Sequence, residues 1–346
     1  MSDTKKVLLV DGNWNLKRNF YKRKDLTCAN GKLCGGTFGF LDSMRSVINK
    51  LMPDKVIVAW DGYHAGKMRY EIYKPYKANR VKNWESEDSV IINEGVGNRD
   101  DEEKFQLLSQ KIDTQTYLEE LFIRQLECDY VEADDFIAYY ILGNKKPNEH
   151  IYIFSRDKDF HQLISKNVSI ITPDSFDIIN IDNFKQKFGY TIENSLLFKC
   201  FEGDSSDNIE GVKGVTTNTL LKYFPNSSNE RYTYNRIVEE SYKINEERIN
   251  GKPKKKPLDT LNRIIDSEHI LYRNAKLMNL KKPLLTKEGV EIVDSIRNEE
   301  LDLDRSIESA MNMFAKDGMV EHVWNRDLQS FFAPFYRLII KEKEVK

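Results

Sequence analysis

Three short runs of aliphatic and β-branched residues stand out along the chain: Lys6 to Val10, Lys55 to Trp60 and Ile151 to Phe154. Each is apolar almost throughout instead of alternating, the pattern of a strand buried on both faces in a helix-covered parallel sheet. Each ends next to an aspartate, at Asp11, Asp61 and Asp157. In an open α/β sheet the carboxyl ends of the strands are where ligands bind, so three strands that aim acids at one edge predict a site there.

Helical spacing fills much of the rest. Phe105, Leu108, Ile112, Leu118, Phe122 and Leu126 recur at near-heptad spacing and predict a helix from about Asp101 to Glu127. A second helix begins near Glu132; Ile137, Tyr140 and Ile141 fall three and four apart and face the sheet, while Glu132, Asp134 and Asp135 occupy the positive end of the helix dipole. From Val81 to Asp101 the period is lost and Asn, Ser, Glu and Gly accumulate, which predicts a mobile loop or arch with room for one short helix. After Phe201, GDSSDNIEGVKGVTTNTLLKYF reads as two short helices around a Gly-containing hairpin. Beyond Pro225 the chain is helical in propensity and heavily charged. It is interrupted by the basic run Gly251 to Pro257, an exposed loop whose second reading is a nucleic-acid contact. No repeat of solenoid period is present.

Composition narrows the classes. A chain of 346 residues suggests two domains, or one large domain with an appendage. Hydrophobic residues make up 40% and charged residues 31%, and mean hydropathy is −0.60, which is a globular chain and not a disordered one. The longest nearly apolar run, Phe331 to Ile340, contains Pro334 and Arg337 and is too short to span a bilayer. The N-terminus runs straight into the first strand without an apolar signal region, so the expectation is no export, no membrane and work in a cytoplasm. Cys28, Cys34, Cys128 and Cys200 form no CxxC pair, and Cys28 and Cys34 read as reduced thiols. His64, His150, His161, His269 and His322 have no zinc-site spacing. Any metal here has oxygen ligands.

Nine acids collect at the predicted strand and helix ends: Asp11, Asp61, Glu132, Asp134, Asp135, Asp157, Asp159, Asp204 and Asp207. Each reads singly as a cap or a solvated residue, but so many converging like charges need counter-ions. All-oxygen ligation selects Mg²⁺, with Mn²⁺ able to substitute. The chemistry that uses a pair of such ions, roughly 4 Å apart, is in-line hydrolysis of a phosphodiester. Setting the nine acids aside turns a net charge of −2 into +7 for the rest of the chain, so an almost neutral total hides a cationic surface. Two stretches concentrate it. Lys17, Arg18, Lys22, Arg23 and Lys24 surround Phe20 and Tyr21, and Lys67, Arg69, Lys74, Lys77, Arg80 and Lys82 interleave with Tyr70, Tyr73 and Tyr76. Cations for phosphates and rings for bases suit single strands and frayed ends, although solvated helices with inward tyrosines have the same composition.

VDG at Asp11, WDG at Asp61, RYEIYKPYKANR from Arg69 to Arg80, EADD from Glu132 to Asp135, SRDKDFHQLI around Asp157 and Asp159, and GDSSDNIEGVKGV from Gly203 resemble, in order and spacing, the 5′-nuclease family of flap endonucleases and 5′→3′ exonucleases. That family includes stand-alone phage exonucleases with RNase H activity and the 5′-nuclease domain of bacterial DNA polymerase I. The resemblance covers residues 5 to about 225. It implies a PIN-like α/β catalytic domain over 1–200 with an arch at about 76–105. A helix-hairpin-helix element over about 201–225 and a C-terminal helical region would complete 201–346. It implies two metal sites, Asp11, Asp61, Glu132, Asp134 and Asp157 around the first, Asp159, Asp204 and Asp207 toward the second, and Asp135 between them or hydrogen-bonded nearby. It implies further that Lys77 and Arg80 contact the scissile phosphate, that Tyr76 stacks on the terminal base and that Arg69 positions the strand.

The helix-hairpin-helix resemblance implies a duplex grip through backbone N–H groups at Gly211 and Gly214, with K⁺ bound there, and with Lys213 or Lys222 compensating for Asn218 and Thr219 where a basic pair is common. Thr216 departs from the family's glycine. With no room for a polymerase domain, the expectation is a stand-alone, monomeric phage-type nuclease acting on branched or 5′-ended duplex DNA and RNA–DNA hybrids. Asn325-Arg-Asp-Leu-Gln-Ser-Phe-Phe332 resembles a sliding-clamp-binding peptide with Asn for the usual Gln; an apolar helical face packed inside is the stronger reading, because more apolar chain follows. The competing functions are a PIN-type endoribonuclease, which the arch and hairpin argue against, and a non-catalytic DNA-binding protein, which would lack ligands. An aspartyl phosphatase would want Asp-x-Asp after the first strand where this chain has Asp11-Gly-Asn13.

Overall fold

The computed structural model describes residues 4–78, 99–144, 146–298 and 307–344. Most of the expected arch, including Arg80, lies outside the described residues. A six-stranded sheet is built from β1 (Lys5–Asp11), β2 (Lys55–Ala59), β3 (Arg124–Leu126), β4 (Glu149–Phe154), β5 (Val168–Ile171) and β6 (Ile178–Ile179) in the order β3-β2-β1-β4-β5-β6. β1 to β5 are parallel and β6 is antiparallel to β5. The order reverses at β1, which lies between β2 and β4, so the topological switch point falls where Asp11, Asp61 and Asp157 emerge.

The helices are α1 (Gly12–Lys22), α2 (Gly35–Leu51), α3 (Lys67–Ile72), α4 (Arg99–Glu120), α5 (Ala133–Gly143), α6 (Phe184–Phe188), α7 (Ser195–Glu202), α8 (Thr217–Tyr223), α9 (Tyr234–Asn250), α10 (Asp259–Ile265), α11 (Glu268–Met278), α12 (Lys287–Asn298), α13 (Ile307–Lys316) and α14 (Leu328–Glu344). Strand side chains alternate between two cores. Val7, Leu9, Ile57 and Ile153 pack with Phe136 and Ile137 of α5 and with Phe201, Ile264 and Val293 beyond it, while Leu8, Val10, Val58 and Phe154 pack with Phe40 and Met44 of α2 and with Phe314 and Phe332. The apolar strands are thus covered on both faces, as their lack of alternation requires. The boundary expected at 200 falls inside α7, and both cores draw residues from either side of it.

Two elements differ from the sequence expectation. The helix expected to reach Glu127 ends at Glu120: Phe122 adopts a left-handed φ of 59°, and Arg124–Leu126 turns out to pair with β2 as the edge strand. Long-range sheet pairing outweighs the local period there, and Phe105, Leu108 and Ile112 are exposed. Residues 203–210, expected to begin helically, form a two-stranded ribbon, β7 (Gly203–Asp204) and β8 (Ile209–Glu210), whose turn carries Asp207. The clamp-peptide reading is also overturned. Phe331 and Phe332 are 5% and 1% exposed, Phe331 stacked on Phe38 and both against Phe314, so neither ring is available to a partner. Among the described residues no helix is long and apolar enough to cross a membrane.

Candidate active site

Glycine follows each of the first two strand-end acids for a steric reason. A Cβ on Gly12 would lie 2.7 Å from the Ala59 carbonyl oxygen and the Trp60 ring, and one on Gly62 would lie 1.7 Å from the Cys128 carbonyl oxygen. Close backbone approach at these turns lets β1 and β2 end side by side, and only glycine allows it.

Asp11 caps α1, accepting from the Trp14 N–H at 3.0 Å and from Ser155 Oγ at 3.0 Å. Asp61 accepts from the Ala133 N–H at 2.9 Å, at the start of α5, and from Asn13 Nδ2 at 2.5 Å. Asp157 accepts from the Asp159 N–H at 2.8 Å, and its own N–H donates to Ser155 Oγ. All of these partners are neutral. Among the described residues no lysine or arginine forms an ion pair with Asp11, Asp61 or Asp157. Burial, with the Asp61 and Asp157 charges adding to it, pushes the Asp11 carboxyl up to about 7 despite the Trp14 hydrogen bond.

The flank on α5 is neutralised differently. Arg69, 4% exposed, reaches Glu132 and Asp135 at 2.5 Å each and donates to the Leu277 carbonyl at 2.8 Å. The Lys77 ammonium pairs with Glu132, and Tyr76 donates its hydroxyl to the same carboxylate at 2.9 Å. Burial alone would raise the Glu132 carboxyl, but Lys77 and Arg69 outweigh it and hold it at about 2. Asp134 is left with a 3.7 Å approach to Arg69, and burial pushes its carboxyl up. Lys77 has a left-handed φ of 50° and donates its N–H to the Asp207 carbonyl at 2.9 Å, while Asn208 Nδ2 holds the Pro75 carbonyl at 2.8 Å. The turn carrying Tyr76 and Lys77 is thereby tied to the β7–β8 turn.

On the opposite flank Lys199 of α7 lies 2.8 Å from Asp159 and 2.7 Å from Asp204. Burial and the Asp157 charge nonetheless lift the Asp159 carboxyl to about 7. Like-charge interactions link Asp11 with Asp61 and Asp157, and Asp159 with Asp157 and Asp204, while Lys77 senses Glu132, Asp207 and Asp61. The nine acids therefore form one continuous electrostatic neighbourhood.

Two roles expected from the resemblance do not match this geometry, those of Tyr76 and Arg69, and of the two expected for Asp135 the geometry matches the hydrogen-bonded one. Tyr76 is 2% exposed with its hydroxyl on Glu132, so its ring is no stacking platform. Arg69 is a buried counter-ion of acids and offers no fork to a strand. Asp135, 0% exposed, has one oxygen on Arg69 and the other shared between Arg69 and the Leu284 N–H, so it is held as a structural anion. Glu132, Asp134 and Asp135 do bring one carboxylate oxygen each within 4.8 Å of one another, but Arg69 already compensates two of the three.

At the expected hairpin, Lys213, Gly214 and Lys222 are exposed along one turn and helix, Gly214 at φ 75°. A Cβ on Gly211 would meet the Glu202 carbonyl oxygen at 2.2 Å. Thr216, the departure from glycine, caps α8 by accepting from the Thr219 N–H at 3.3 Å. The sequence reading missed Lys199, Ser155 and Asn13, and also Lys111, which donates to the Asp61 carbonyl at 2.9 Å and to Glu127 at 2.6 Å. Ser155 opens one quoted motif and Asn13 directly follows another, a weak signal in each case; Lys111 and Lys199 carried none.

The donor set fits hard divalent cations. The edge acids are all oxygen, are oriented by neutral donors and carry charge that the described protein does not neutralise, as the displaced Asp11 carboxyl registers.

The chain matches the model of the 5′-3′ exonuclease N-terminal resolvase-like domain over residues 6–189. It is 31% identical over 215 residues to a 5′-3′ exonuclease of Mycoplasmopsis pulmonis, covering 62% of this chain and 64% of that one. To the thermostable DNA polymerase I of Thermus caldophilus it is 30% identical over 217 residues, 63% of this chain and 23% of the polymerase. It thus spans under a quarter of that relative. Among solved structures it is similar to the zinc-bound T5 5′-exonuclease, with a TM-score of 0.59, 18% identity and coverage of 91% and 98%. Flap endonuclease-1 of Methanococcus jannaschii gives a TM-score of 0.52 at 13% identity, with coverage of 99% and 94%. The PIN-like fold is shared with these two, and with the family model matching more than half its length, the chain belongs to the 5′-3′ exonuclease family of nucleases.

Proposed function

We propose that this chain is a Mg²⁺-dependent, structure-specific 5′ nuclease that removes 5′ flaps and RNA primers from branched or 5′-ended duplex DNA and RNA–DNA hybrids. The observation that carries the reading is the edge at the switch point, where acids from three strands converge, are oriented by neutral donors and stay uncompensated by any ion-paired lysine or arginine among the described residues.

Asp11, Asp61, Asp134 and Asp157, with Glu132 behind them, would hold a first ion. Asp204 and Asp207, with Asp159, would hold a second more weakly, because Lys199 already neutralises two of them. Bound there, Mg²⁺ supplies Lewis acidity, lowering the pKa of an attacking water and stabilising charge on the phosphoryl oxygens. The chain's own residues orient the donors: Ser155 and Trp14 fix Asp11, and Asn13 and the first turn of α5 fix Asp61. Lys77, locked against the β7–β8 turn, keeps a cation beside Glu132, and Arg80 joins it by the family resemblance alone. The exposed Lys213, Gly214 and Lys222 offer a sequence-independent grip on duplex phosphates, with K⁺ at the Gly211–Gly214 turn carried over in the same way.

A labelled 5′-flap DNA and an RNA–DNA hybrid with a recessed 5′ end, incubated in Mg²⁺, in EDTA and with Asp157→Ala, test the reading. Products released from the 5′ side in Mg²⁺ alone, and lost in the variant, are expected. Cutting that persists in EDTA, or that prefers linear single-stranded RNA, would overturn it.

A further inference from the structure

Two arginines beside the acidic edge converge on one carboxylate. Arg18, on α1 seven residues after Asp11, donates Nε and Nη2 to Asp174 Oδ1 at 3.0 and 2.6 Å; Arg156, next to Asp157, reaches Asp174 Oδ2 at 2.7 Å. Asp174 lies in the turn after β5. Parallel strands lie about 4.8 Å apart, so the end of β5 is roughly 10 Å from that of β1, along the same edge as the candidate metal acids. The turn is built to present it: Thr172 N–H donates to the Asp177 carbonyl at 3.0 Å, Ser175 Oγ to Asp177 at 2.7 Å, and Phe176 stacks on Phe154.

The exposures make this unlike a structural ion pair. The Asp174 and Arg156 side chains are 46% and 61% exposed, and Arg18 is 19% exposed, lying over the Trp14 ring at 5.9 Å. Between β4, β5 and α6 a cavity of about 250 Å³ opens beside the trio, lined by Arg156, Lys158 and Lys187 together with Asp157, Thr172 and Ser175. Two guanidinium groups that share one carboxylate have the geometry that holds a phosphate diester, since each is a planar fork for a pair of anionic oxygens.

We propose that Arg18 and Arg156 grip a backbone phosphate of the nucleic-acid strand beside the acidic edge, and that Asp174 occupies this grip as an internal substitute for that phosphate until the strand displaces it. The inference rests on the nuclease reading and adds a binding site and a brake to it. Asp174 keeps the half-buried Arg18 and the exposed Arg156 ordered without DNA. The cost is competition with substrate, so removing the carboxylate should help binding where removing an arginine should hurt it.

The test uses the full-length chain in EDTA, with a fluorescent duplex bearing a 5′ single-stranded overhang, titrated at a series of salt concentrations. Asp174→Asn should bind about threefold tighter or more at low salt. Its salt dependence should steepen by about one phosphate contact, a further loss of roughly threefold across a fourfold rise in salt. Arg156→Gln, at an exposed position that leaves folding intact, should bind more weakly with a shallower slope, and in the double variant the gain from Asp174→Asn should shrink. If Asp174→Asn and Arg156→Gln both weaken binding, or leave the salt slope unchanged, the trio is a structural latch and the proposal is wrong while the nuclease reading stands. If the wild type binds no 5′-ended DNA and releases no product in Mg²⁺, that reading falls and this one with it.

Discussion

The carboxylates at the end of β1, β2 and β4 and those on the first turn of α5 lie side by side, yet they are held in opposite ways. Asp11, Asp61 and Asp157 receive hydrogen bonds from backbone N–H groups, Ser155 and Asn13, which orient an anion without cancelling its charge. Glu132 and Asp135 receive Arg69, and Glu132 also Lys77, which cancel it. The consequence is visible in the acids themselves: Asp11 is lifted to about 7 and Glu132 is held near 2. Neutral donors leave an edge ready for an external cation, while charged partners turn the adjoining carboxylates into scaffold.

The largest way to break this contrast is to strip the scaffold of its cation. Arg69→Ala leaves Glu132 and Asp135 buried with one counter-ion fewer and should destabilise the fold by about 3–5 kcal/mol, read by urea unfolding. A loss below about 1 kcal/mol would mean that the pairing is incidental. Next in size is a cut on the other side. Asp157→Ala should lower Mg²⁺-dependent cleavage by roughly 10²–10³-fold while DNA binding and the unfolding midpoint change little, since Asp157 is exposed and pairs with no lysine or arginine among the described residues. A fall of less than tenfold would remove Asp157 from the chemistry.

A smaller effect sharpens the contrast through pH. The Asp11 carboxyl has a folded pKa near 7 against an ordinary 3.8, so between those values the folded chain keeps a proton that the unfolded chain has lost. Metal-free stability should therefore carry a share that falls as pH rises from about 4 to 7, and Asp11→Asn should remove that share of the slope while the one from the similarly lifted Asp159 persists. The variant should be more stable than the wild type in EDTA at pH 8, by on the order of 1–2 kcal/mol. Equal stability at pH 8 would mean that Asp11 carries no strain from burial and its neighbours.

The strand-end acids were legible because buried parallel strands announce themselves as unbroken apolar runs, and the first acid within three residues of each run is read directly. The α5 cluster was legible for a similar local reason, a helix start rich in acids. What those acids touch was not. Arg69 lies 63 residues from Glu132 along the chain, and nothing in its own neighbourhood distinguishes a buried counter-ion from the strand contact that the basic, tyrosine-rich stretch suggested. Tyr76 failed likewise, its ring placed by the turn that Asn208 and Lys77 tie down. Lys199 carried no signal because its two partners come from different elements. At the far end, Phe331 and Phe332 fit a docking peptide by spacing and a core helix by burial, and only the packing of α14 on α2 and α13 decides between them. The early end of α4 belongs to the same class, since the pairing of Arg124–Leu126 with β2 is a tertiary fact.

The most direct test of the contrast is the unfolding midpoint at pH 8 measured against rising Mg²⁺ and Mn²⁺, in the wild type and in Asp11→Asn. An edge that binds divalent ions in the folded state alone should gain about 2.7 kcal/mol at a hundredfold excess over its dissociation constant. The wild type should rise accordingly, and Asp11→Asn, more stable in EDTA, should lose most of that rise. A wild-type midpoint indifferent to both ions, with Asp11→Asn no more stable than the wild type in EDTA, would contradict the account at its centre.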